Sequence, residues 1–168
     1  MNAKEKQAEF VKTYLKPTLK KFGYKTSGKT WWKSQGDFLI IINLQNYSWN
    51  DKDSVDFRFN MGIGLAVTLG DPEKKKVDQH DLTVHVSESF HLPAGRHEHK
   101  YKNNVGYTIK SDTDLNDFIM ELFHDFEKEI LPRLDNLKTL NDCIDFYKGT
   151  FWGDNLKRLI AEHNIKTV

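Results

Sequence analysis

The stretch Val55–Val67, VDFRFNMGIGLAV, alternates along its whole length. Successive side chains of a strand point to opposite faces, so Val55, Phe57, Phe59, Met61, Ile63, Leu65 and Val67 form one side. Asp56, Arg58, Asn60, Gly62, Gly64 and Ala66 form the other. A strand this long with one apolar face needs a layer over that face and a partner of similar length. The partner is residues 38–45, FLIIINLQ. Phe38, Ile40, Ile42 and Leu44 share one face; Leu39, Ile41, Asn43 and Gln45 share the other, apolar at one end and polar at the other. That pattern predicts a central strand covered fully on one side and half-covered on the second. Apolar-to-apolar matching requires paired numbers to sum to an odd value. A sum near 101 pairs Leu44 with Phe57 and Ile42 with Phe59, and sets Asn43 opposite Arg58 and Gln45 opposite Asp56. Asn43, Gln45, Arg58 and Asn60 then share a polar face, with Gly62 and Gly64 leaving room above it.

Helical periodicity takes over at both ends of the chain. Phe10, Val11, Tyr14, Leu15, Leu19 and Phe22 recur at spacings of three and four within 3–22, with a kink expected at Pro17 and a stop at Gly23. A strand carrying Trp31 and Trp32 on opposite faces and a turn at Gln35-Gly36-Asp37 lead into 38–45. Beyond Gly70 the pattern weakens: a turn and charged loop or edge strand over 70–81, a strand over 82–86, loop to 104, and a last strand over 105–109. Ser111 or Asp112 then caps a helix striped by Leu115, Phe118, Ile119, Leu122, Phe126 and Ile130, ended or kinked at Pro132. Thr139 with Asp142 forms a capping box for a second helix closed by Gly149, and 154–163 makes a short third. The reading is one α+β domain over 1–168: an antiparallel sheet with an N-terminal helix and two to three C-terminal helices packed on one face.

Composition excludes several classes. A hydrophobic fraction of 38% and a charged fraction of 29% suit a globular chain. The longest apolar run, Phe38 to Ile42, is too short for a membrane span, and MNAKEKQAEF lacks the apolar core of a signal peptide. A single cysteine, Cys143, fits a reducing cytoplasm. Charge is segregated. Residues 1–33 carry nine lysines against Glu5 and Glu9, and the rest carries 16 basic against 22 acidic groups. Lysines beside Tyr24, Trp31, Trp32 and Trp49 could serve nucleic acid, but the net charge of +1 and the amphipathic first helix argue against it.

Five histidines crowd residues 80–99. His97 and His99 would share a face of an extended segment, and His91 could complete a metal site. No HExxH, GxSxG or glycine-rich phosphate loop accompanies them, and no motif requires a cofactor, so the reading leans away from an enzyme. Residues 112–145 hold ten acidic groups against Lys128, Arg133 and Lys138. Such a face can bind a basic partner by charge complementarity.

The run LKKFGYKTSGKTWWKSQGDFLIIINLQ carries a family pattern. Leu19, Lys20, Lys21, Gly23 and Tyr24, then Gly28 with Trp31 and Trp32, then Ile42, Asn43 and Gln45 resemble the bacterial family catalogued as domain of unknown function 4304. Phe59-Asn60-Met61-Gly62-Ile63 and Ile130-Leu131-Pro132 with Leu134 resemble its later elements. The resemblance implies one α+β domain and brings no catalytic residues.

Together these features lead to an expectation of a cytoplasmic protein that acts by binding a protein partner, in the manner of toxin inhibitors. Trp31 or Trp32, with Asn43, Gln45, Arg58 and Asn60, is the expected site. The alternative is a metal- or small-ligand-binding protein using His91, His97 and His99 or the Asn43/Gln45/Arg58 face.

Overall fold

In the computed structural model, which describes residues 1–70 and 76–167, seven strands form one antiparallel sheet. They are β1 (Lys25–Ser27), β2 (Thr30–Ser34), β3 (Phe38–Asn46), β4 (Ser54–Leu65), β5 (Val84–Ser87), β6 (Lys102–Asn103) and β7 (Gly106–Lys110). The order is β1-β2-β3-β4-β7-β6, with β5 also paired to β4. Thus β4 pairs with β7 through its first half and with β5 through its second.

The β3–β4 register has the expected parity but sums to 103 rather than 101. Leu44 faces Phe59, Ile42 faces Met61, Asn43 faces Asn60 and Gln45 faces Arg58. A shift of two leaves every side chain on its expected face. The connection is shorter than expected, and β4 ends at Leu65, where Ala66–Leu69 turns into a 3-10 helix in place of the expected strand end at Val67. Tyr47 N–H still donates to Asp56 O at 3.1 Å, and Asp51 Oδ1 closes the shortened turn by accepting from Asp53 and Ser54 N–H.

One face of the sheet is fully covered by helices. These are α1 (residues 3–21), α2 (residues 115–135), α3 (Leu140–Phe146) and α4 (Phe151–Glu162). Phe10, Leu15 and Leu19 of α1, the α2 stripe of Phe118, Leu122, Phe126 and Ile130, and Leu156 of α4 all bury in one core with Ile40, Ile42, Phe57, Phe59 and Met61. Each such side chain contributes roughly 1.5–3 kcal/mol by leaving water.

Neither proline ends its helix: the helix runs on past Pro17 to Lys21 and past Pro132 to Asp135. Each is preceded by a widened π turn, Val11–Leu15 before Pro17 and His124–Ile130 before Pro132. Lys16 N–H reaches Val11 O and Leu131 N–H reaches Phe126 O, five residues back. Widening the turn accommodates a ring that would otherwise press on the preceding carbonyls.

Residues 111–113 stay attached to the sheet, with Ser111 N–H on Asp53 O, so the α2 cap is Asp114 and not Ser111 or Asp112. The Thr139/Asp142 capping box forms as expected, while α4 begins at Phe151, capped by Thr150. Part of the charged loop expected over 70–81, residues 71–75, lies outside the described residues. Among the described residues no helix is long and apolar enough to cross a membrane.

The second face carries a smaller apolar cluster at one end. Trp32, Leu39 and Ile41 pack there with Val77, Ala66, Leu69 and Leu82. Gly62 and Gly64 do not leave room. A Cβ on Gly62 would lie 1.9 Å from Val84 O, and one on Gly64 2.3 Å from Asp81 O. The glycines admit the 81–84 backbone against β4, which brings His85 opposite Gly62.

Candidate functional site

The polar end of the second face carries Asn43 and Gln45 from β3, Arg58 and Asn60 from β4, and His85 from β5, placed together by alternation and register. Asn60 is the buried centre, 1% exposed. Its Nδ2 donates to Gln45 Oε1 at 2.8 Å and to Asn43 Oδ1 and Gln79 Oε1, each at 3.2 Å. Asn43 Nδ2 in turn donates to Thr30 Oγ1 at 2.9 Å. The amides are thus fixed from one side only.

Three atoms here have no partner: Asn60 Oδ1, Arg58 Nε and one imidazole nitrogen of His85, Nε2. Among the described residues only six buried side-chain nitrogen or oxygen atoms lack one, so half of them gather on this patch. A buried polar group without a partner costs about 1–3 kcal/mol, and such groups are rare in folded proteins. Arg58 makes no hydrogen bond or ion pair with any described residue. The natural candidate, Asp56, is already engaged: Thr108 Oγ1 donates to its Oδ1 at 2.6 Å and Trp49 Nε1 to its Oδ2 at 2.7 Å. Burial, then the positive charges of Arg58 and His80, hold the His85 imidazole below its ordinary pKa.

The rim is aromatic. Trp49 is 60% exposed, stacked on Tyr47 with centroids 4.4 Å apart, and locked in place by its bond to Asp56. Tyr47 continues the β3 alternation after Asn43 and Gln45, a signal that could have placed it here from sequence. Trp49 and His85 follow from the turn and from the β4–β5 register, which sequence did not supply.

The expected tryptophans sit elsewhere. Trp31 is buried in the helix-covered core, and Trp32 shares the polar patch's face but lies under Val77 and its neighbours. The histidines do not converge either. His91 Nε2 meets Tyr147 Oη at 3.0 Å, His97 Nε2 meets Leu92 O at 3.0 Å, and His99 Nε2 meets Asp125 Oδ2 at 2.9 Å. Burial pushes His91 down to about 3, so it remains neutral across the physiological range. Among the described residues no three His, Cys, Asp or Glu side chains are placed to hold a metal ion. Cys143 is buried, and burial raises its thiol to about 12, far from a reactive thiolate.

Most of the acidic helical surface is engaged internally. Asp117 pairs with Lys100, Glu121 and Asp125 with Arg96, Glu129 with Arg133, and Asp135 with Lys33. Glu127 accepts from Tyr14, and Asp114 and Asp142 cap helices.

A family model described as a domain of unknown function (DUF4304) matches residues 15–136, a stretch that takes in the whole sheet and all of α2. No curated protein and no solved structure matches the chain.

Proposed function

The chain belongs to the DUF4304 family, and for it we propose a binding role: the polar sheet face docks a protein partner that presents an acidic side chain to Arg58. The carrying observation is that guanidinium, partly buried and left without a carboxylate while Asp56 beside it is engaged elsewhere. A planar cation matches a carboxylate with two parallel hydrogen bonds, and Asn60 Oδ1 can accept an N–H beside it. Tyr, Trp and Arg are the residues that dominate binding energy at interfaces, and Tyr47, Trp49 and Arg58 stand together here. Trp49 is already immobilised, so binding forfeits little of its rotamer freedom. The setting we infer is the bacterial cytoplasm, to which a chain with one buried cysteine is suited.

The test is affinity capture from the native cell with wild type, Arg58→Ala and Trp49→Ala. The expected result is one captured protein whose affinity falls roughly ten- to a hundred-fold in each variant, with little change in melting temperature. A partner retained by both variants would place binding on another surface and defeat the proposal.

A further inference from the structure

A second feature lies on the edge of the molecule where α1 meets β1 and β2. A cleft of about 670 Å³ is lined by Lys12, Lys16 and Lys20 of α1, Lys25 of β1, and Tyr24 and Trp31. The four lysines have no ion-pair partner among the described residues, in contrast to Lys6 and Lys33 nearby, which bond to Ser111 O and Thr113 O and to Asp135. Lysines four apart on a helix repel one another, so this row is unfavourable until an anion joins it.

The aromatic lining adds an independent observation. Tyr24 and Trp31 are 5% and 1% exposed, yet the Tyr24 hydroxyl and the Trp31 Nε1–H have no hydrogen-bond partner. With the three atoms of the sheet patch and His91 Nδ1 these make up the six unpartnered atoms. Both residues line the cleft with part of their ring surface, while the two donors themselves are buried behind it. Pro17 also lines the cleft, and the π turn before it is of a kind that often marks functional positions in helices.

We infer that this cleft binds a phosphorylated organic anion of mononucleotide size, its phosphates among the lysines and its apolar part against Tyr24, Trp31 and Pro17. The volume is in the range of small-molecule sites, and the mix of apolar walls with a few convergent polar groups is typical of them. A ligand that is charge alone would leave the aromatic walls unused, and one without phosphate would leave four like charges facing each other. The cleft is separate from the Arg58 face, so each proposal can fail without the other.

ATP without metal is the first probe, followed through the indole N–H signals of isotope-labelled protein, four in all because the chain has four tryptophans. Trp31→Phe assigns the relevant signal. That signal should shift saturably with ATP, and binding should weaken at least about ten-fold in Lys12→Gln/Lys16→Gln/Lys20→Gln and with rising salt. The three lysines are exposed, so the variant should fold as wild type does. Arg58→Ala should bind ATP unchanged. Tripolyphosphate and adenosine, tested separately, should each bind more weakly than ATP. No saturation by about 10 mM ATP, or equal binding by the triple variant, would overturn the inference. Tripolyphosphate matching ATP would overturn its organic part.

Discussion

Two polar clusters flank the middle of β4, one on each face of the sheet, and they differ in how fully their groups are satisfied. On the helix-covered side, Asp125 is completely buried and every oxygen is engaged: Oδ1 with Arg96 Nε at 2.7 Å, Oδ2 with His99 at 2.9 Å and with the Tyr107 hydroxyl at 2.8 Å. Beside it the equally buried Glu88 and Lys102 pair at 3.1 Å, with Lys102 Nζ over the Tyr107 ring. Glu88 also accepts the Phe59 N–H at 3.2 Å, between the residues where β4 pairs with β7 and those where it pairs with β5. On the other side Arg58, Asn60 and His85 keep unpartnered atoms. The contrast teaches how to separate scaffold from site when both are built of charged and amide side chains. A complete network holds the fold together, and an incomplete one is shaped for something that is not part of the chain.

The largest effect should come from breaking the complete network. Asp125→Ala strands His99, Tyr107 and the Nε of Arg96, whose other nitrogen keeps Glu121, and removing one member of a buried charged cluster costs about 3–5 kcal/mol. Urea unfolding should show that loss as a lower midpoint. A loss below about 1 kcal/mol would mean the network is not a scaffold, and the comparison would collapse. The same carboxylate gives an acid limb. Burial works to raise its pKa, but the bonds from His99, Arg96 and Tyr107 outweigh burial and hold it below the ordinary value. The unfolded carboxyl therefore takes up its proton first, at about 3.9. The contribution of Asp125 is whole above that pH and is lost as pH falls through the lower, folded value. In Asp125→Ala this part of the acid limb should vanish.

A smaller effect is expected on the incomplete side. Arg58→Met removes a guanidinium that bonds to no described residue, keeps most of the stem, and should change stability by no more than about 0.5 kcal/mol in the same urea experiment. A loss comparable to that of Asp125→Ala would show that Arg58 is structural, and the two faces would no longer differ in kind.

How much of this was legible in the sequence follows from the same physics. Alternation in 38–45 and 55–67 assigned Asn43, Gln45, Arg58 and Asn60 to one face, and a register shift of two could not disturb that. Nothing local distinguished a sum of 101 from 103, since the turn closed by Asp51 and Tyr47 depends on contacts between strands. Trp31 and Trp32 were correctly sent to opposite faces, but what covers Trp32 comes from 66–82, where periodicity is absent. The histidine cluster looked like a metal site because spacing was all that sequence offered. Its members are instead held by Tyr147, Leu92 and Asp125, partners from five to 56 residues away in the chain whose approach only the fold decides.

The subtlest test reads the incomplete cluster through His85. Its imidazole is held below the ordinary value of about 6.5, first by burial and next by the charges of Arg58 and His80. The folded state therefore favours the neutral ring, and the unfolded chain binds the proton first as pH falls. The contribution of His85 to stability is whole above about pH 6.5 and is lost as pH drops from there through the folded value. Because much of the ring is near solvent, the effect on stability is slight, and the titration itself is the better observable. In Arg58→Met the second cause disappears while burial remains, so the His85 pKa, followed by the NMR shift of its ring protons, should rise yet stay below that of an exposed histidine. An unchanged pKa would mean that the Arg58 charge does not reach the imidazole in solution. The two groups would then not form one anion-seeking cluster, and the Arg58 face would lose its claim to be a site.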